Sequence, residues 1–372
     1  MKLDCFYLKL FNQLCKSSSE SENVFFSPMS ISLALTMLLL GSSGKTKQQI
    51  EQALGVVKNK KLVKDVEDLN DLLNIETNGL IIHIANQIFP SESFQIVECY
   101  RKDLENSFNC QLEKLDYTNV DESKNIINKW VENSTDGKIK NLFDSMEPDI
   151  ACVLVSCIYF KGDWLDKFMS QKTRDRLFYC PNKETCTVKM MHKDKCMPYL
   201  YDKQNKFKCV KLRYKEDEFS MVLILPDEKY GVDDVINRLD VKTIDKLEND
   251  DNFDWQRVWL EIPKFKIEYA TSLIETLKTL GIEDAFDEKK AKFNNMSTEK
   301  IYVSEVIHKA FIETSEDGTE AAAATGIKLC TRRPLTARRI NREYFVADHP
   351  FVFMIKQGCN ILFMGKIISI DV

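Results

Sequence analysis

Glycine and proline are scarce, at 12 and 9 among 372 residues. So low a content excludes collagen-like and low-complexity chains, and no internal repeat is visible. There are only four histidines, and the twelve cysteines include no CxxC pair, which argues against a zinc site. GxSxG, HExxH, P-loop and GxGxxG sequences are all missing, removing the common hydrolase, metalloprotease and nucleotide-binding signatures. The most apolar run, ISLALTMLLL, covers only Ile31 to Leu40. That is too short to span a membrane, and it predicts a buried helix. A basic excess is lacking as well, since the net charge is -5, which disfavours general nucleic-acid binding. No metal and no cofactor are expected.

What remains is a composition of 44% hydrophobic and 29% charged residues, that of a soluble globular chain with a substantial core. The length fits one large domain or two ordinary ones. The cysteines scatter irregularly from Cys5 to Cys359, which in a chain with its own core indicates reduced thiols in a reducing compartment. The N-terminal MKLDCFYLKLFNQLCKSSSE carries Asp4 and Lys9 where a secretory signal would be apolar. It reads as an amphipathic helix with Leu3, Phe6, Tyr7, Leu10 and Leu14 on one face. Helical patterns dominate the first 145 residues: one opens at Ser27-Pro28, Lys45 to Leu54 stops at Gly55, and Glu122 to Thr135 stops at Gly137. Strands follow at Ala151–Phe160, Phe219–Pro226 and Trp259–Ile267, with FVFMI and ILFMGKIISI last. Several are apolar on both faces, as strands covered on both sides are. Helices first and strands afterwards indicate an α+β fold.

His83, His192, His308 and His349 lie in strand-like or loop contexts with no nucleophile signature beside them. A Cys–His pair could arise only in space, and a bare cysteine is usually a small core residue. One stretch stands apart: SEDGTEAAAATGIKLCTRRPLTARRINREYF, Ser315 to Phe345, set between two strand patterns. Gly318 and Gly326 bracket too few residues for an unaided helix, and four alanines are unusual in an exposed turn. A third reading fits better. Small side chains can enter a closing gap without colliding with packed neighbours, so Ala321 to Ala324 read as a strand to be added between two others.

The same residues, Glu316-Asp317-Gly318-Thr319-Glu320 followed by Ala321-Ala322-Ala323-Ala324-Thr325, resemble the hinge of an inhibitory serpin. The resemblance covers the whole chain. NVFFSPMSISLALTMLLLGSSGKT, IANQIF, NKWVENSTDGKIKNLF, IYFKGDW, VKMM, MVLILP, IPKFK, LGIEDAFD, VSEVIHKAFIE and HPFVFMI…ILFMGKI follow in family order. It implies one domain over 1–372, with about nine helices, three β-sheets and an exposed reactive loop near 316–345. It also implies an inhibitor rather than an enzyme, one that a serine protease cuts as substrate before the hinge Gly318 to Ala324 inserts into the central sheet. Ser27, Ser30, Ser156 and His308 match the shutter beneath that sheet, Ser156 standing where the family usually has asparagine. The missing signal and the thiols resemble the signal-less, ovalbumin-like branch, which implies a cytoplasmic monomer that could be released without a classical signal peptide.

Family counting from Gly318 places the cut at Arg332-Arg333, whereas counting back from Pro350 gives Arg339-Ile340. The loop is thus roughly seven residues longer than usual, and we favour the hinge count. Seven more residues before the cut would leave slack on the order of 20 Å, enough for a tethered enzyme to escape distortion. Arginine at the cut implies a trypsin-like protease partner, and Leu329 offers a chymotrypsin-type alternative. Other readings are a non-inhibitory carrier, chaperone or ligand, which the small hinge disfavours, and an inhibitor of cysteine proteases. Arg332, Arg333, Arg338, Arg339 and Arg342 read as a solvated loop, a protease-docking exosite or a sulfated-glycan site. Lys58, Lys60, Lys61 and Lys64 read as a solvated helix start.

Overall fold

The computed structural model describes residues 3–19, 21–56, 75–77, 79–216, 218–319 and 342–370. The N-terminal pattern forms α1 (Asp4–Ser17), whose Phe6, Tyr7, Leu10 and Leu14 are buried together with Leu3 just before it. The apolar run forms α2 (Pro28–Gly41), buried along almost its whole length. Its start is fixed locally: the Ser27 hydroxyl accepts the Ser30 N–H and Pro28 occupies the first turn. Then come α3 (Gly44–Leu54), ended by Gly55 at φ 70°, α4 (Glu98–Phe108) and α5 (Val120–Ser134). Three short helices complete the set: α6 (Val232–Arg238), α7 (Val241–Glu248) and α8 (Ile274–Thr279). Among the described residues, then, there are eight α-helices.

A six-stranded sheet runs in the order β10 (Phe265–Ser272), β11 (Glu305–Thr314), β12 (Gly318–Thr319), β4 (Cys152–Asp163), β3 (Leu80–Pro90) and β2 (Ile75–Thr77). A nine-stranded sheet begins with β1 (Val24–Phe26), β15 (Asn360–Ile367), β14 (Phe351–Gln357), β8 (Phe219–Pro226) and β7 (Phe207–Arg213). It continues through β6 (Thr185–Asp202), β9 (Asp254–Pro263) and β13 (Arg342–Val346), with β5 (Arg174–Tyr179) on the outer side of β6. The second and third sheets implied by the resemblance are joined here. The long β6 pairs with β5 and β9, and its last residues, Tyr199–Asp202, pair with β7. The expected strand Trp259–Ile267 is divided: Pro263 ends β9 and Phe265 starts β10 in the other sheet. Proline has no N–H to continue a ladder.

β4 explains its own apolar sequence. Cys152, Leu154, Ile158 and Phe160 face the main core, while Val153, Val155, Cys157 and Tyr159 face a second core with Ile127 and Val131 of α5. Both faces are covered, so alternation disappears.

Candidate functional site

At the head of the six-stranded sheet two neighbouring strands part. β11 and β4 run parallel and paired from Glu305 opposite Val153 to Phe311 opposite Tyr159. The chain then turns back after Thr314, and β12 enters between them, antiparallel to both. Thr319 pairs with Thr314 on one side and Gly162 on the other, and Gly318 pairs with Asp163. A Cβ at Gly318 would lie 2.1 Å from the Gly162 carbonyl oxygen and 2.6 Å from Asp163 Cα. Glycine alone permits that approach.

The turn leading into this wedge is held on every side. The N–H groups of Trp164 and Phe168 donate to the carbonyls of Asp317 and Glu316 at 2.9 and 2.8 Å, and Trp164 Nε1–H donates to Ser315 O at 3.0 Å. Lys264 lies 2.9 Å from the Glu316 carboxylate, which also accepts the Thr173 hydroxyl at 2.7 Å. Burial works against the charge of Glu316, yet Lys264 and Thr173 hold its carboxyl below the usual range. Thr319 is fully buried, its hydroxyl 2.8 Å from that of Tyr214. The Tyr214 ring stacks on Trp164 at 4.6 Å. Burial pushes the Tyr214 phenol up, so it stays a neutral hydrogen-bonding group.

Deeper between the same strands lies a polar relay. The Ser27 N–H donates to His308 Nε2 at 3.1 Å, so that nitrogen carries no proton, and the neutral ring holds its proton on Nδ1. Nδ1–H then donates to Ser156 Oγ at 3.1 Å, Ser156 to Ser30 Oγ at 2.9 Å, and Ser30 to Asn86 Oδ1 at 3.1 Å. Every hydroxyl proton has one destination, and the shorter Ser156, in place of the family's usual asparagine, still closes the chain. Burial lowers the His308 pKa from 6.5 to about 3. Unfolded His308 therefore binds a proton that the folded protein refuses. Its contribution to stability is complete above pH 6.5 and is lost as pH falls from there toward about 3. At a slope of about 1.4 kcal/mol per pH unit, roughly 2 kcal/mol should be gone by about pH 5. Urea unfolding of wild type and His308→Gln across this range checks it. The variant should lose most of the slope, and parallel curves would refute the assignment.

Of the residues singled out in the sequence, the structure brings Ser27, Ser30, Ser156 and His308 together and seats Gly318 and Thr319 in the gap. Glu320, Ala321, Ala322, Ala323, Ala324, Leu329, Arg332, Arg333, Arg339 and Ile340 lie outside the described residues, as do Lys58 to Lys64. Arg342 is already engaged, 2.9 Å from Asp194 and stacked over Trp259. Sequence reading missed Asn86, Tyr214, Thr173 and Lys264. Asn86 and Lys264 stand inside the quoted IANQIF and IPKFK segments, but nothing local marks Tyr214 or Thr173.

A six-stranded sheet whose central strands β11 and β4 are parted at one end by β12, within a mixed α+β fold, places the chain with a class of protease inhibitors. The chain belongs to the serpin family: the family model described as "Serpin (serine protease inhibitor)" matches residues 1–370. The family so described is one of protease inhibitors rather than enzymes. The chain is 36% identical to the leukocyte elastase inhibitor of Sus scrofa and 36% identical to serpin B8 of Homo sapiens, in each case over 98% of this chain and 97% of the relative. Among solved structures it resembles Serpin48 of the insect Tenebrio molitor, with a TM-score of 0.87, 27% identity and coverage of 99% and 97% of the two chains. Uncleaved ovalbumin shares the fold, with a TM-score of 0.86 at 24% identity over 98% and 97%. No described helix is long and apolar enough to cross a membrane.

Proposed function

We propose that this protein traps trypsin-like serine proteases after cleavage at Arg332-Arg333. The protease serine attacks the Arg332 carbonyl, the amine of Arg333 leaves, and an acyl-enzyme remains. The freed segment then extends β12 down between β11 and β4.

The observation that carries this reading is the register already set by Gly318 and Thr319. Continued along β4, it would bring Leu329 opposite Cys152, the far end of that strand; along β11, it would bring Lys328 opposite Glu305, the far end of that one. Because Glu305 and Val153 are already paired, both strands reach their far end on the same rung, and an inserted strand would end there. Arg332 follows Leu329 by three residues, so the acylated protease would be drawn against the far end of the body. A cut at Arg339 would add roughly 20 Å of tether. The two-residue period also sorts the side chains. Ala321, Ala323, Thr325, Ile327 and Leu329 would share the core-facing side with Thr319, and all are small or apolar. Thr325 would come between Ser156 and His308, offering a hydroxyl where insertion parts their hydrogen bond.

The relatives named as elastase inhibitors favour one second reading, cleavage after Leu329 by an elastase- or chymotrypsin-like enzyme. A sulfated-glycan role for the loop arginines has less support, because Arg342 is paired with Asp194. All eleven described cysteines are free, and Cys5, Cys99, Cys196 and Cys359 are exposed, which suits a cytoplasmic location. Release from the cell is compatible with the arginine at the cut.

Incubation with trypsin is expected to give an adduct that survives boiling in detergent, and a released C-terminal fragment beginning at Arg333. A fragment beginning at Cys330, formed with elastase but not trypsin, would favour the second reading. One beginning at Ile340 would overturn the register. Cleavage without any adduct, by either enzyme, would make the protein a non-inhibitory carrier or ligand.

A further inference from the structure

β5 and β6 form a hairpin on the edge of the nine-stranded sheet, closed by one turn of 3-10 helix, Pro181–Lys183. Phe178 pairs with Cys186 and Tyr179 with Thr185, and the Cys180 N–H donates to Glu184 O at 2.9 Å. Cys180 and Cys186 thus stand on opposite arms of a closed turn, their sulfurs 3.5 Å apart. Both are half-buried, so a small molecule can reach them. The arms are fixed from outside as well: the Tyr179 N–H donates to Asp348 O at 2.7 Å, and the Cys186 sulfur lies 4.0 Å from Ile370 O.

We propose that Cys180 and Cys186 are a reversible thiol–disulfide pair, reduced in a reducing compartment and bridged on exposure to an oxidising one. The backbone already holds the sulfurs in contact, and bonding requires them to close to about 2.05 Å. With oxidised glutathione as oxidant, the thiolate of one cysteine attacks a glutathione sulfur and expels one glutathione thiolate. The second cysteine thiolate then attacks the protein sulfur of the mixed disulfide and expels the other. The two protons lost by the cysteines end on the two glutathiones, which gain the two electrons. Burial, and then the hydrogen bond and charge of Cys186, push the Cys180 thiol up to about 11. At neutral pH the Cys180 sulfur is held as the thiol, and exchange through it is slow. The bridge therefore reports the compartment in which the protein resides rather than a brief oxidant pulse.

The test equilibrates the intact, reduced protein in glutathione buffers, alkylates remaining thiols and maps the cysteines by mass spectrometry. In a buffer rich in oxidised glutathione, Cys180 and Cys186 should be joined to each other. In excess reduced glutathione both should be alkylated. Below the thiol pKa, the rate of bridging should rise about tenfold per pH unit. Cys180→Ser should leave Cys186 alkylated or carrying a single glutathione. The proposal is overturned if both thiols stay alkylated under oxidising conditions, if either pairs with another cysteine, or if the bridge survives excess reduced glutathione. Because nothing here depends on loop insertion, failure of this experiment leaves the inhibitory reading untouched, and the reverse also holds.

Discussion

Trypsin mixed with the Thr319→Arg variant is expected to cut the reactive loop, stay active and leave no adduct stable to boiling. In the native protein Thr319 is fully buried at the head of the gap, hydrogen-bonded to Tyr214 and paired with Gly162 and Thr314. An arginine cannot occupy that space without an unpaired charge, at a cost of several kcal/mol. On the proposed mechanism inhibition is a race between insertion and deacylation, and each rise of about 1.4 kcal/mol in the insertion barrier slows that step tenfold. The number of inhibitor molecules consumed per protease should therefore rise tenfold or more, while the cleavage rate, set near Arg332, stays the same. The native head of the sheet is disturbed too, so a second variant is needed. Ala321→Arg lies beyond β12, and in the continued register it would oppose Phe160 and Ile312, both fully buried. It should give the same conversion with native stability preserved. Wild-type stoichiometry in both variants would refute insertion along this register.

Cleavage of the loop should raise the unfolding midpoint by about 15 °C or more. Insertion replaces one parallel ladder, the seven pairs from Glu305–Val153 to Phe311–Tyr159, with two antiparallel ladders of greater length. Antiparallel pairing is also the slightly stronger kind. A net gain of roughly a dozen backbone hydrogen bonds at about 1 kcal/mol each is set against an unfolding entropy of roughly 0.8 kcal/mol per degree for a chain of this length. The apolar face of the inserted strand adds to it. Calorimetry of intact and loop-cleaved protein reads the difference directly. Coincident midpoints would mean that the gap does not accept the strand, and the non-inhibitory reading would then prevail.

Much of the fold is legible in the sequence alone. The amphipathic start, the capped buried helix at Ser27-Pro28 and the both-sided apolar strand Ala151–Phe160 each follow from local rules of periodicity, capping and burial. Those rules act within a few residues, so a sequence displays them. The passage of the chain through Pro263 from one sheet to the other was not legible, because an apolar strand pattern does not say which partner it pairs with. The joining of two sheets by β6 is hidden for the same reason.

The sequence by itself determined that this chain has an α+β fold with a run of small residues after Gly318, and, through the family resemblance, that four polar residues, Ser27, Ser30, Ser156 and His308, are candidates for one site. Tertiary structure alone decided how they meet. His308 and Ser156 stand far apart in the chain, and only the parallel pairing of β11 with β4 sets them opposite each other. The same is true of Gly318: its need for a bare Cα comes from the carbonyl of Gly162, a residue no local rule connects to it. Tyr214 and Lys264 gain their roles from packing against Thr319 and Glu316. Contacts across long sequence separations depend on which strands close the sheet, and that is a property of the whole fold rather than of any segment.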